Sequence, residues 1–191
     1  MFAAARRKRG EEVDVDATTK QTPEDGRLPG VAAGYAPADE RPPLLPFAAA
    51  MALFNSLFAL ALLLAKRSGR ELPERVGAGD LATIGVASHK LSRLIAKDKV
   101  TSPLRAPFTE YEGEGGPSEF EESSRGSGAR KAIGEMLLCP YCLGLWVVSA
   151  FAVGLLFAPR LTRFIAAVFS ALTLSDFLQI AYKAAEEKGL G

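Results

Sequence analysis

The sequence predicts an all-α integral membrane protein, a helical bundle of four helices, three or four of them membrane-crossing, the C-terminal two forming a hairpin. Three observations predict it. Charge is segregated: Lys and Arg number 23 against 22 Asp and Glu, yet Leu44 to Ala65 runs 22 residues without a charge and Met136 to Pro159 runs 24. Length fits, because a hydrocarbon core about 30 Å thick takes about 20 apolar residues at about 1.5 Å rise each. Size fits too, since 191 residues leave too little chain to build a soluble body around two such helices. The lipid bilayer is therefore the expected partner. The near-zero net charge points to no polyanion, so no nucleic acid is expected.

Residues 1–43 read as a disordered tail. The cluster Arg6-Arg7-Lys8-Arg9 gives way to Glu11-Glu12-Val13-Asp14-Val15-Asp16 and then to Pro23, Pro29, Pro37, Pro42 and Pro43. That composition has no apolar periodicity and too little hydrophobic surface to offset the entropy of ordering. Acidic, Pro-containing sequence follows the basic cluster where an apolar signal core would stand, so no cleaved leader is expected there.

The membrane helical domain spans 44–182. Its first helix, about 44–65, has Pro46 near its start, where a missing N–H is harmless. Ala48, Ala52 and Ser56 make a small-residue stripe that lets a neighbouring helix approach, and Asn55 is expected to find a partner across such an interface. The second helix, about 79–97, is less apolar. Leu81, Ile84, Ala87, Ser88, Leu91, Leu94 and Ile95 form its apolar side, while His89, Arg93 and Lys97 stack at four-residue spacing with Lys90 beside them. This helix either crosses with its basic half snorkelling at the cytoplasmic interface or lies in the interface itself.

Residues 98–130 predict a loop. Pro103, Pro107 and Pro117 break helices, and a disordered acidic stretch is expected over about 109–130. The segment from Thr101 to Phe108 has apolar and basic character suited to a membrane surface. A third helix over about 137–158 carries Pro140 in its first turn. A tight turn at Pro159-Arg160-Leu161-Thr162 leads to a fourth helix over about 162–182, and 183–191 is a short polar tail. With four crossings, Lys and Arg number fifteen on one side of the membrane and six on the other. The asymmetry places both termini in the cytoplasm.

That topology brings the C-terminal half of the second helix, the start of the third and the end of the fourth to one depth. Asp176, the one acidic residue of the fourth helix, needs a cationic partner. Arg93 is the first candidate for this intramembrane ion pair and His89 the second. Cys139 and Cys142, the only two cysteines, lie at i and i+3 on one helical face. If Cys139 caps the helix that Pro140 opens, the positive dipole end favours its thiolate. Three readings stay open for this CxxC motif: packing thiols, a redox pair, and a metal site. The metal site, for zinc or another thiolate-bound ion, would need His89 and a further ligand.

The run Ser88-His89-Lys90-Leu91-Ser92-Arg93-Leu94-Ile95, followed by Asp98, Thr101 and Pro103-Leu104-Arg105, and then Gly134 through Trp146 with Cys139-Pro140-Tyr141-Cys142 at its centre, resembles the small bacterial membrane proteins grouped as domain of unknown function 1360. The likeness covers about residues 80–180. It implies a multi-pass bacterial inner-membrane protein with no established activity, to which the tail, the acidic loop and the first span are additions.

No nucleophile–base set, phosphate loop or catalytic carboxylate pair is recognisable. The reading therefore favours a non-enzymatic scaffold or interaction subunit, working as a homo-oligomer or with another membrane protein. The alternatives are a thiol-redox or metal-binding protein using Cys139 and Cys142, and an oligomeric transport component built on Asp176 and the His89/Arg93 stripe.

Overall fold

A computed structural model describes Tyr35 and residues 42–189, so the tail expected over 1–43 lies almost wholly outside the described residues. In chain order the elements are α1 (Leu44–Arg67), α2 (Ala78–Lys97), a 3-10 turn (Lys99–Thr101), α3 (Ser102–Arg105), β1 (Thr109–Glu114), β2 (Phe120–Ser124), α4 (Gly128–Leu138), α5 (Pro140–Phe157) and α6 (Pro159–Gly189). Three of the described helices, α1, α5 and α6, are long and apolar enough to cross a membrane.

The molecule is mostly helical, but the expectation of an all-α fold needs correction. Residues expected to form a disordered acidic loop over 109–130 instead build an antiparallel β-hairpin and the first turn of α4. Tyr111 pairs with Glu122 and Glu114 with Phe120. The register shifts between Tyr111 and Gly113, which leaves Glu112 as a bulge. The Tyr111 and Phe120 rings meet edge to face with centroids 5.1 Å apart, giving one side of the hairpin an aromatic contact.

α5 occupies most of the span expected for the third helix, and a separate helix, α4, precedes it. α4 stops at Leu138, Cys139 adopts extended backbone (φ −101°, ψ 101°), and α5 begins at Pro140. Proline fits the first position of a helix, where its missing N–H is no loss. The junction of α5 and α6 is tighter than expected, with only Ala158 between them. A Cβ on Gly154 would lie 2.6 Å from Thr162 Oγ1, so only glycine lets the two helices fold back this closely. α6 also runs on through Gly189, and the expected polar tail is helical that far.

α2 is the centre of the bundle. It packs along both α5 and α6, and the core they share is Ile84, Ala87, Val147, Phe151 and Ala166, flanked by Leu91, Ile95, Leu155 and Phe169. Small side chains make this possible: Ala87 and Ala96 are fully enclosed, and Ser92 is buried. Leu81, expected on the apolar side of this helix, is 67% exposed. The Ser170 hydroxyl donates to the Thr83 carbonyl at 2.9 Å and stitches α6 to α2.

α1 leans on this core through an edge-to-face contact of Phe54 with Trp146, centroids 5.1 Å apart. Beyond its C-terminus the Arg70 guanidinium donates to the Leu156 carbonyl at 2.6 Å and lies over the Phe157 ring. At that end of the bundle Arg163 also meets Asp80 through two hydrogen bonds of 2.8 Å. The other end carries the β-hairpin, α3 and α4, which together form a polar cap.

Candidate functional site

The polar and thiol groups singled out in the sequence gather at the capped end of the bundle, with partners different from those expected. The basic residues of α2 and of the turn after it are divided between the hairpin and α6. Arg93 forms a two-pronged pair with Glu119, at 2.7 and 2.9 Å. Lys97 reaches Glu121 at 3.3 Å, and Lys99 pairs with Glu114. These contacts turn the glutamates of the hairpin toward the end of α2, which is why an acidic, Gly-rich segment holds a fixed structure.

Asp176 does not pair with Arg93 or His89. Its partner is Lys90, at 2.7 Å, and the Lys90 side chain is 14% exposed. Lys90 follows His89 by one residue, a turn of about 100° around the helix, which aims it at α6 while Arg93 and Lys97 face the cap. The His89 ring is exposed and makes no hydrogen bond among the described residues.

Beneath the hairpin lies a site the sequence reading missed. The segment from Thr101 to Phe108 was expected at a membrane surface; Leu104 within it is exposed, but Arg105 is completely buried. Its guanidinium donates to Glu122 at 2.5 Å, to Thr101 Oγ1 at 2.7 Å, to the Ile95 carbonyl at 2.7 Å and to the Asp98 carbonyl at 3.1 Å. Two of these acceptors belong to the last turn of α2 and the residue just after it, where carbonyls lack helical partners. Arg105 therefore terminates α2 and fastens β2 to it at once. The Thr109 hydroxyl donates to the second Glu122 oxygen at 3.2 Å and completes the carboxylate's shell.

The cysteines sit at the break between α4 and α5. Cys139 caps α5, as the Pro140 position suggested: its sulfur accepts the backbone N–H of Cys142 at 3.1 Å. The two residues form a disulfide, with Cα atoms 5.2 Å apart. Cys142 is exposed and Cys139 partly so, and Tyr141 between them is 93% exposed. The metal reading took both sulfurs as thiolate ligands with His89 as a candidate third. The sulfurs are joined to each other instead, and no group of three or more His, Cys, Asp or Glu side chains placed to hold a metal occurs among the described residues.

Residues 83–182 match the family described as "Protein of unknown function (DUF1360)". The chain belongs to that family. The DUF1360 region takes in three quarters of α2, the whole cap, α5 and most of α6, so Lys90–Asp176, Arg105–Glu122 and Cys139–Cys142 all fall inside it, while α1 and Asn55 fall outside. A 69-residue stretch is 35% identical to "Sporulation protein YjcA" of Bacillus subtilis (strain 168), covering 35% of this chain and 58% of that protein. The chain thus spans a little over half the length of that relative. No solved structure matches.

Proposed function

We propose that this protein is a multi-pass component of the bacterial cytoplasmic membrane that works by assembling with other membrane helices. Asn55 carries the reading. It lies midway along α1, among the most apolar sequence in the chain, and it is exposed. Among the described residues its amide donates only to the Met51 carbonyl of its own helix, at 2.9 Å. An amide facing hydrocarbon with unused hydrogen-bonding capacity is unfavourable, and a polar group on an adjacent helix relieves it. Ala52 and Ser56, also exposed on α1, are small enough to let that helix approach.

In this reading α1, α2, α5 and α6 cross the membrane, and both termini and the polar cap face the cytoplasm. The Lys and Arg distribution supports that orientation. The partner helix is a second copy of this chain or a different membrane protein. A photoactivated crosslinker at position 52, used in native membranes, tests the proposal. A discrete crosslinked product that disappears in the Asn55→Leu variant is expected. Uncrosslinked monomer alone, with correctly inserted protein, would refute it.

A further inference from the structure

We propose that the Cys139–Cys142 disulfide is an exchange site that accepts two electrons from a dithiol on a partner protein. Four observations carry this. The pair lies at the N-terminus of an 18-residue helix, so the aligned peptide dipoles favour negative charge on the capping sulfur. That sulfur, on Cys139, already accepts the Cys142 N–H, a contact that strengthens when the sulfur is a thiolate. Cys142 is exposed, with the exposed Tyr141 ring beside it, so an outside sulfur can reach the bond. The bond also closes a loop of minimal length between residues that the first helical turn already holds together. A crosslink contributes stability by restricting the unfolded chain, more for longer loops, so a purely structural purpose is poorly served here.

The chemistry is thiol–disulfide exchange. A thiolate of the partner attacks Cys142 Sγ, the Cys139–Cys142 S–S bond breaks, and its electron pair leaves on Cys139 Sγ, where the helix terminus holds the charge. The partner's second thiol, losing its proton, then attacks the partner sulfur of the mixed disulfide. The electron pair of that bond passes to Cys142 Sγ, which takes up a proton. The partner dithiol is oxidised to a disulfide and the cysteine pair is reduced by two electrons. The reverse sequence reoxidises the pair at the expense of a partner disulfide. The site lies within the DUF1360 region and away from α1, so it stands whether or not α1 has a partner.

The test uses the full-length protein in native membranes, equilibrated in buffers of reduced and oxidised dithiothreitol, with thiols counted by a mass-tagged maleimide. Expected is reversible interconversion between no free thiol and two. Alkylation of Cys139 in a Cys142→Ser variant should be about tenfold faster at neutral pH than alkylation of Cys142 in a Cys139→Ser variant, because the helix terminus stabilises negative charge on the capping sulfur. Protease resistance of the cap in each variant confirms that it is folded. A pair that opens only when the protein unfolds, or two thiols that react at equal rates in folded variants, would overturn the proposal.

Discussion

Arg105 and Glu122 meet at 2.5 Å with side chains only 1% and 5% exposed, although seventeen residues and a β-hairpin separate them in sequence. Breaking a buried ion pair by removing one partner leaves the other charge uncompensated, at a cost of about 3–5 kcal/mol. Arg105→Met should therefore release the cap, seen as rapid protease cleavage within 106–127 in detergent-solubilised protein. Glu122→Met should be milder, because Arg105 keeps the Ile95 and Asp98 carbonyls. Arg105→Lys should not rescue, since one ammonium cannot reproduce a planar fork that serves four acceptors.

Gly134 is where α4 crosses the base of the hairpin. An added Cβ would lie 2.5 Å from the Phe108 carbonyl oxygen and 3.1 Å from Ser124 Cβ. The first obstacle is backbone and cannot turn aside. Gly134→Ala should destabilise the docking of α4 on the cap by about 1–3 kcal/mol, the usual scale of overpacking. Hydrogen exchange confined to β1, β2 and α4, with α5 and α6 unaffected, would be the corresponding signature.

The α5–α6 junction offers a paired test. Gly154→Ala collides with the Thr162 side chain, and thermal unfolding followed by Trp146 fluorescence should show a lower midpoint. Adding Thr162→Ala removes the obstructing atoms, so the double variant should be more stable than Gly154→Ala alone. Additive losses would mean that the close approach at Gly154 is not what constrains the turn.

Lys90 and Asp176 link α2 to α6 at 2.7 Å. Asp176→Asn should destabilise the helical core, because it leaves the largely buried Lys90 ammonium without its counter-charge. Lys90→Gln added to it should recover part of the loss. Arg93→Gln should leave the core transition unchanged and loosen only the cap, through Glu119. A transport role would instead predict a flux in proteoliposomes that Asp176→Asn abolishes.

The long uncharged runs were legible in the sequence because length and the absence of charge are local properties, and the Pro140 position foretold a helix start with Cys139 as its cap. The hairpin was hidden by its glutamates. Glu110, Glu112 and Glu114 alternate with period two and Gly115-Gly116-Pro117-Ser118 reads as a turn, so a strand signal existed. Its stability, however, depends on Arg93, Lys97, Lys99 and Arg105 arriving from elsewhere, which no local window reveals. The partner of Asp176 was misread, Arg93 and then His89 being chosen over Lys90, because a stripe at four-residue spacing says which residues share a face and not which helix that face meets. Arg105 was missed because a basic residue beside prolines resembles a surface segment until its acceptors are assembled around it.

The central place of α2 has a consequence for synthesis. Both helices that share a core with Ile84 and Ala87 lie later in the chain, so a nascent polypeptide completes α2 before either of them exists. The intervening cap emerges next, and its contacts with the last turn of α2 can form while α5 and α6 are still unmade. The least greasy of the long helices thus waits for its enclosure with one end already tied down, and final packing is deferred until the α5–α6 turn brings both walls at once.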